Sequence, residues 1–195
     1  MLLCADAESA RADLVAGSLG CPSCGRGRLG PWGRGRERAV RLLRGERAVA
    51  APPRGRCRSC GATHLLLPSW MAPRRADGTG VIARAAAAAA LHGAGSARLG
   101  AELGVPPATV RGWLRRLRSR AGDLRQDATA ALGLLTAGRD WPCLAPCGSP
   151  LGDALAAVIA CARAAIAFHG HAEEDLDSLL GRFGITAALA PAPGS

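Results

Sequence analysis

The chain has no lysine and no tyrosine, and its aromatic residues are two Phe and four Trp in 195 positions. Without Tyr there is no tyrosine recombinase nucleophile. Without Lys, all 25 basic residues are Arg, a bias that a GC-rich genome also produces, so the position of the charge says more than its amount. No run of about 18 residues is both free of charge and apolar enough to span a bilayer. Leu151–Phe168 comes closest, but it contains Asp153 and Arg163 and is mostly Ala, so no membrane partner is expected. The N-terminus lacks the basic flank and apolar run of a secretory signal, and the chain reads as cytoplasmic. In a reducing compartment its eight Cys are thiols or metal ligands rather than disulfides. No phosphate-binding glycine loop and no nucleophile elbow occurs. No enzyme activity and no catalytic residue is expected.

The charge that is present is unevenly placed. Residues 21–75 hold thirteen Arg against two acids, and residues 76–125 hold eight against three, whereas 1–20 and 126–195 are both net acidic. A basic middle between acidic ends points to a polyanion as the partner of the middle.

Within that middle, Cys21-Pro-Ser-Cys24-Gly25 and Cys57-Arg-Ser-Cys60-Gly61 are two C-x2-C-G motifs. Such a turn faces both thiolates and two backbone N–H groups toward one point, and two of them complete a tetrahedral Cys4 site for zinc. Redox pairs or free structural thiols are the alternatives, but a redox C-x-x-C would open a helix in a βαβ context, and neither motif does. Thirty-two residues separate Cys24 from Cys57. Short strands at Arg38–Leu43 and Arg47–Ala51, joined by Arg44-Gly45-Glu46, account for part of this insert, and Thr63–Leu67 would be a third strand. His64 lies near the second motif; four Cys suffice, so it reads as a packed or surface residue.

Ser96–Arg118, SARLGAELGVPPATVRGWLRRLR, has the pattern of a helix-turn-helix. A first helix is predicted from Ser96 to Leu103, a turn at Gly104, and a second helix from Pro107, where proline's missing N–H has no partner anyway. Leu99, Leu103, Val105, Val110 and Trp113 are spaced to share one core, and Gly100 is small enough for a close crossing. Thr109, Arg111, Gly112, Arg115 and Arg116 are left facing outward, a surface suited to a DNA major groove. A solvated basic face is the bland alternative. Ala85–Ala90 favours a preceding helix over Val81–Leu91, with Thr79 as a candidate cap and Gly93 as its stop. Pro68–Gly80 reads as a linker whose Arg74 and Arg75 would reach a minor groove, or would simply be solvated.

Residues 21–118 resemble a zinc ribbon followed by a helix-turn-helix, as at the N-terminus of several insertion-sequence transposases. They are closer still to an uncharacterised group of bacterial proteins with this pair and no catalytic domain. CPSCG, PWGRGRER, CRSCGATHLLLPS, the PRR after it and GVPPATVRGWLRRLR carry the likeness. Pro106 departs from it, standing where such helices often have a capping Ser, a loss of about 1 kcal/mol. The resemblance implies DNA binding. The transposases cut DNA with acidic residues on an RNase H-like domain, for which the helical remainder of this chain is too short.

Beyond the motif, Ala121–Gly138 is expected to be helical, with Leu124, Ala128, Ala131, Leu132 and Leu135 on one side. Leu151–Phe168 is a further helix with Leu151, Leu155, Val158, Ile159, Ala162 and Ile166 on one face, and Glu173–Phe183 another, before a frayed tail at Pro191–Ser195. Cys143 and Cys147 would make a second metal site only with His169 and His171, at spacing poor for zinc. Cys4 and Cys161 read as small apolar residues.

The expectation is a mainly α chain with a small β zinc ribbon. Its parts are an N-terminal segment (1–20), the Zn2+-bound ribbon (21–67), a linker (68–79), the helix-turn-helix (80–120) and C-terminal helices (121–195). The function is binding of double-stranded DNA, as a transcriptional regulator or transposase-derived protein and as a homodimer paired through the Leu151–Phe168 face. A zinc-ribbon adaptor that binds proteins without sequence-specific DNA contact is the competing class.

Overall fold

A computed structural model describes residues 1–136 and 144–169, with the side chains of 168 and 169 left undescribed. About half of the described residues are helical, with a small mixed sheet and a cluster of Cys in the N-terminal part.

The chain opens with β1 (Leu2–Cys4) and α1 (Ala7–Ala16). α1 starts at Asp6, whose Oδ1 accepts from the N–H groups of Glu8 and Ser9 at 2.8 Å each, satisfying two donors that a helix start leaves over. It stops at Gly17, which takes a positive φ of 66°. β2 (Leu29–Arg34), β5 (Pro53–Cys57) and β6 (Thr63–Pro68) complete a four-stranded sheet in the order β1-β6-β5-β2, parallel only between β1 and β6. α1 covers one face of this sheet. Leu14 sits so close over β5 that a Cβ on Gly55 would lie 2.6 Å from its Cδ2. Ala10, Leu14, Leu29 and Leu66 form the small core, together with Cys21 and Cys57.

The hairpin β3 (Arg38–Arg41) and β4 (Arg47–Ala50) projects from this sheet, closed by a 3-10 turn at Leu43–Gly45. These strands were expected at Arg38–Leu43 and Arg47–Ala51, two residues and one residue longer than found. β1, β2 and β5 are additional strands. The segment 68–79, expected as a linker, is packed: Met71 and Ala72 are fully buried in two different cores. It is stitched to the hairpin by Arg41, whose N–H donates to Ala76 O and whose carbonyl accepts from Gly78 N–H, both at 2.7 Å.

Among the described residues five helices follow: α2 (Thr79–His92), α3 (Ser96–Leu103), α4 (Pro107–Ser119), α5 (Ala121–Leu135) and α6 (Pro150–His169). α2 ends at Gly93 with φ 64°. Thr79 does not cap it; Gly78 occupies that position, and the Thr79 hydroxyl donates to Ser69 O at 2.9 Å. α3 keeps its expected bounds and α4 starts at Pro107 as expected; the two are joined through Gly104 at φ 64°, and Pro106 precedes α4 without a side-chain cap. Their close approach depends on Gly100, where a Cβ would come 2.8 Å from Val105 O.

α6 satisfies by length and composition what a membrane crossing needs, with a mean hydropathy of 1.5 over Pro150–Ala167, and half of that window is buried inside the fold. Leu151, Leu155, Val158 and Ala162 are buried, and the helix lies along α5 and touches α2 and α4. The face on which pairing between two chains was expected is therefore used within one chain. Glu173–Phe183 and Pro191–Ser195 lie outside the described residues.

Arg41 also joins the two halves of the fold. Its Nη1 donates to Gly104 O at 2.6 Å and its Nε stands 3.6 Å from Asp77 Oδ1. Burial pushes the Asp77 carboxyl up against the pull of Arg41 and Arg75. Arg41→Ala strips a buried carboxylate of its ion-pair partner and a turn carbonyl of its donor, so a loss of about 1–3 kcal/mol is expected in urea unfolding. An unchanged unfolding midpoint would show that water replaces both contacts.

Candidate functional site

The four Cys of the two C-x2-C-G motifs converge. Cys21 and Cys24 lie on the turn between α1 and β2, while Cys57 ends β5 and Cys60 lies on the turn into β6. All four Sγ atoms fall within 4.8 Å of one another, with Cys21–Cys60 at 3.7 Å and Cys24–Cys57 at 3.8 Å. A metal–sulfur bond of about 2.3 Å in a tetrahedron sets sulfurs roughly 3.8 Å apart, so the group has the dimensions to hold one ion.

The two turns are built alike. Gly25 N–H donates to Cys21 O at 2.9 Å, and Gly61 N–H donates to Cys57 O at 3.1 Å. Both glycines have positive φ, 67° and 73°, which explains the Gly after each pair. Backbone N–H groups also point at sulfur: Gly27 to Cys24, and Ser59 and Cys60 to Cys57, each at 3.4 Å. Gly27 has a second constraint, since a Cβ there would lie 2.3 Å from Cys57 Sγ. The sequence reading missed Gly27; the signal was the second Gly of C-G-x-G. Buried His64 brings Nε2 to 3.5 Å from both Cys21 Sγ and Ser23 Oγ, beside the four sulfurs.

These donors tune the thiols. The Gly27 N–H holds the Cys24 thiol below its usual range. The Cys60 and Ser59 N–H groups bring Cys57 down to about 6. At Cys60 the N–H of Ala62 pulls downward, but the adjoining sulfurs outweigh it and push that thiol up to about 11. One sulfur thus ionises readily, and its charge opposes ionisation of its neighbour, a conflict that a divalent cation removes.

The sign of the pH dependence follows from Cys57. A depressed pKa stabilises the fold fully above the ordinary thiol value of 9.0, and that contribution fades as the pH falls through about 6. Protons compete with a metal in the same direction. Bound metal, read with a chromophoric chelator, is expected to be released as the pH drops below about 6. Full retention in strong acid would contradict thiolate ligation.

The other cysteines are of a different kind. Burial, with Asp6 and Asp13 adding to it, raises Cys4 to about 11, and burial raises Cys161. Both suit the small apolar role expected of them. Cys147 donates weakly to Ala145 O. Cys143, His171 and the His169 side chain, the other members of the second site considered, lie outside the described residues.

α4 divides cleanly. Val110, Trp113, Leu114 and Leu117 are buried against Leu99 and Val105 in the helical core. Arg111, Arg115 and Arg116 are exposed, with Thr109 and Gly112 half-buried beside them. Leu114 and Leu117 extend the core by a turn beyond the residues read from sequence. Arg74 is exposed at a positive φ of 55°. Arg75 is half-buried, and its Nε has no hydrogen-bond partner. Desolvation, then the charge of Arg116, lowers its pKa, so these two arginines share one neighbourhood. Arg38 reaches beneath, donating to Arg75 O at 3.2 Å and Ala72 O at 3.1 Å.

Residues 21–104 match the model of a family described as a domain of unknown function, DUF6431. The match holds both Cys pairs, α2 and α3, and ends at the glycine before α4. It covers less than half of the chain. No curated protein and no solved structure matches the chain.

Proposed function

We propose that this protein binds double-stranded DNA through a helix-turn-helix built on α2, α3 and α4, with α4 lying in the major groove. A zinc ion on Cys21, Cys24, Cys57 and Cys60 folds the ribbon beside it. The ion is structural: four sulfurs leave no open coordination position for a substrate. The exposed face of α4 carries the reading. It has four arginines, Arg111, Arg115, Arg116 and Arg118, and no acid, on a helix whose opposite face is anchored by Trp113. Arg111 lies nearest the N-terminal end, which meets base edges in this kind of motif, and Arg115 and Arg116 lie a turn further on, toward phosphates. Arg74 and Arg75 extend the basic surface. A transcriptional regulator and a transposase-derived protein both fit this reading, and pairing of two chains on two half-sites belongs to it.

Two substitutions test it. A bidentate Arg–guanine contact discriminates by about 1–3 kcal/mol, so Arg111→Ala should weaken binding to a selected site more than to random DNA. Arg116→Ala should weaken both about equally and reduce the salt slope by about one counterion. Unchanged site affinity in a folded Arg111→Ala protein would remove α4 as the reader, and the ribbon would then be read as a protein-binding adaptor.

A further inference from the structure

The sheet face turned away from α1 has its own chemistry. Along β5 the side chains alternate: Pro53, Gly55 and Cys57 are buried, and Arg54 and Arg56 are exposed. Gly30 of β2 pairs with Arg56, and the Arg58 guanidinium lies over that bare position, 3.2 Å from where a Cβ would stand. Two residues on, Trp32 is 51% exposed, with Arg56 Cζ 4.5 Å from the centre of its ring. Exposed Thr63 faces Arg56 from β6, and exposed Arg34 ends β2. No acidic residue occurs in β2, β5 or β6.

A half-exposed indole set among arginines fits a partner that offers flat rings and negative charge together. The cation–π contact fixes the ring while leaving much of it in water. Alternate strand positions put Arg54 and Arg56 about 6.7 Å apart, spaced along the strand to follow an extended backbone. A duplex hides its base faces in the stack and offers only base edges and phosphates; an unpaired strand offers base faces and phosphates together. We infer that the β2–β5 face binds single-stranded nucleic acid, with a base stacked on Trp32 and backbone phosphates on Arg54, Arg56 and Arg58. The surface is separate from α4 and does not depend on α4 reading DNA.

The test uses the full metal-loaded chain at low salt, with labelled oligothymidylate and oligouridylate in separate arms that distinguish a DNA from an RNA strand. Binding of at least one is expected, with quenching of Trp emission that is missing in Trp32→Phe. Trp32→Ala should weaken binding about tenfold, the scale of one stacked base, while Trp32→Phe keeps most of it. Arg54→Ala with Arg56→Ala should lower the salt slope by about 1.4. Arg111→Ala should leave single-strand binding unchanged, whatever it does to duplex binding. Metal content and melting temperature report whether Trp32→Ala stays folded; if it does not, Trp32→Phe and the quenching decide. Failure of both oligonucleotides to bind, full affinity in folded Trp32→Ala, equal losses in the Phe and Ala variants, or loss of binding in Arg111→Ala would each overturn the assignment.

Discussion

Cys57→Ser is expected to release the metal and to open the sheet between β2 and β6. Cys57 is a buried member of the four-Cys group at the end of β5; it receives N–H groups from Ser59 and Cys60 and lies 3.8 Å from Cys24 Sγ. The apolar core around it is small, chiefly Ala10, Leu14, Leu29 and Leu66. Binding of a structural zinc contributes apparent free energy on the order of 10 kcal/mol in small units, more than so few side chains can replace. The variant should carry no metal after mild chelation, and its residues 21–67 should be cut by protease far faster than in the parent. Arg41 ties this half to the α3–α4 turn, so duplex binding should fall as well. A variant that resists protease like the parent would show that the sheet stands without the ion.

Trp113→Ala is the second large effect, and it acts on the other half. Trp113 is 2% exposed and belongs to the core shared by α2, α3, α4 and α6. Truncating a buried Trp typically costs about 3–5 kcal/mol, against a total of roughly 5–15 kcal/mol for a native domain. The indole Nε1 has no hydrogen-bond partner, so its value lies in packing, and Trp113→Phe should cost distinctly less. Urea unfolding followed by circular dichroism should show this order, with metal content unchanged in both. Equal losses in the two variants would place the value of the side chain in its N–H instead.

Much of the helical half was legible in the sequence because local signals agreed. Gly93 and Gly104 stop α2 and α3, Pro107 opens α4, and the apolar spacing of Leu99, Val110 and Trp113 marks one shared face. The sheet was less legible. β2 reads LGPWGR and β5 reads PRGRC, both rich in the Gly and Pro that ordinarily argue against a strand. They form for tertiary reasons: Gly55 makes room for Leu14, and Gly33 takes φ 85° at a register shift between Pro31 and Arg34. The segment around Met71 has the composition of a linker, yet it is held by hydrogen bonds from Arg38 and Arg41, residues more than thirty positions away. The grouping of Cys21, Cys24, Cys57 and Cys60 was legible from the two C-x2-C-G motifs, because each turn is local. The packing of Gly27 on Cys57 and of His64 on Cys21 was not, since each joins residues far apart in sequence.

Whether α4 reads duplex DNA selectively is decided by selecting bound duplexes from a random pool with the metal-loaded chain. Enrichment of a short motif that contains guanine is expected. The same selection with folded Arg111→Ala should lose preference at one or two positions while still retaining DNA at low salt. Recovery of no motif by the parent chain, or of an identical motif by Arg111→Ala, would contradict selective reading by α4.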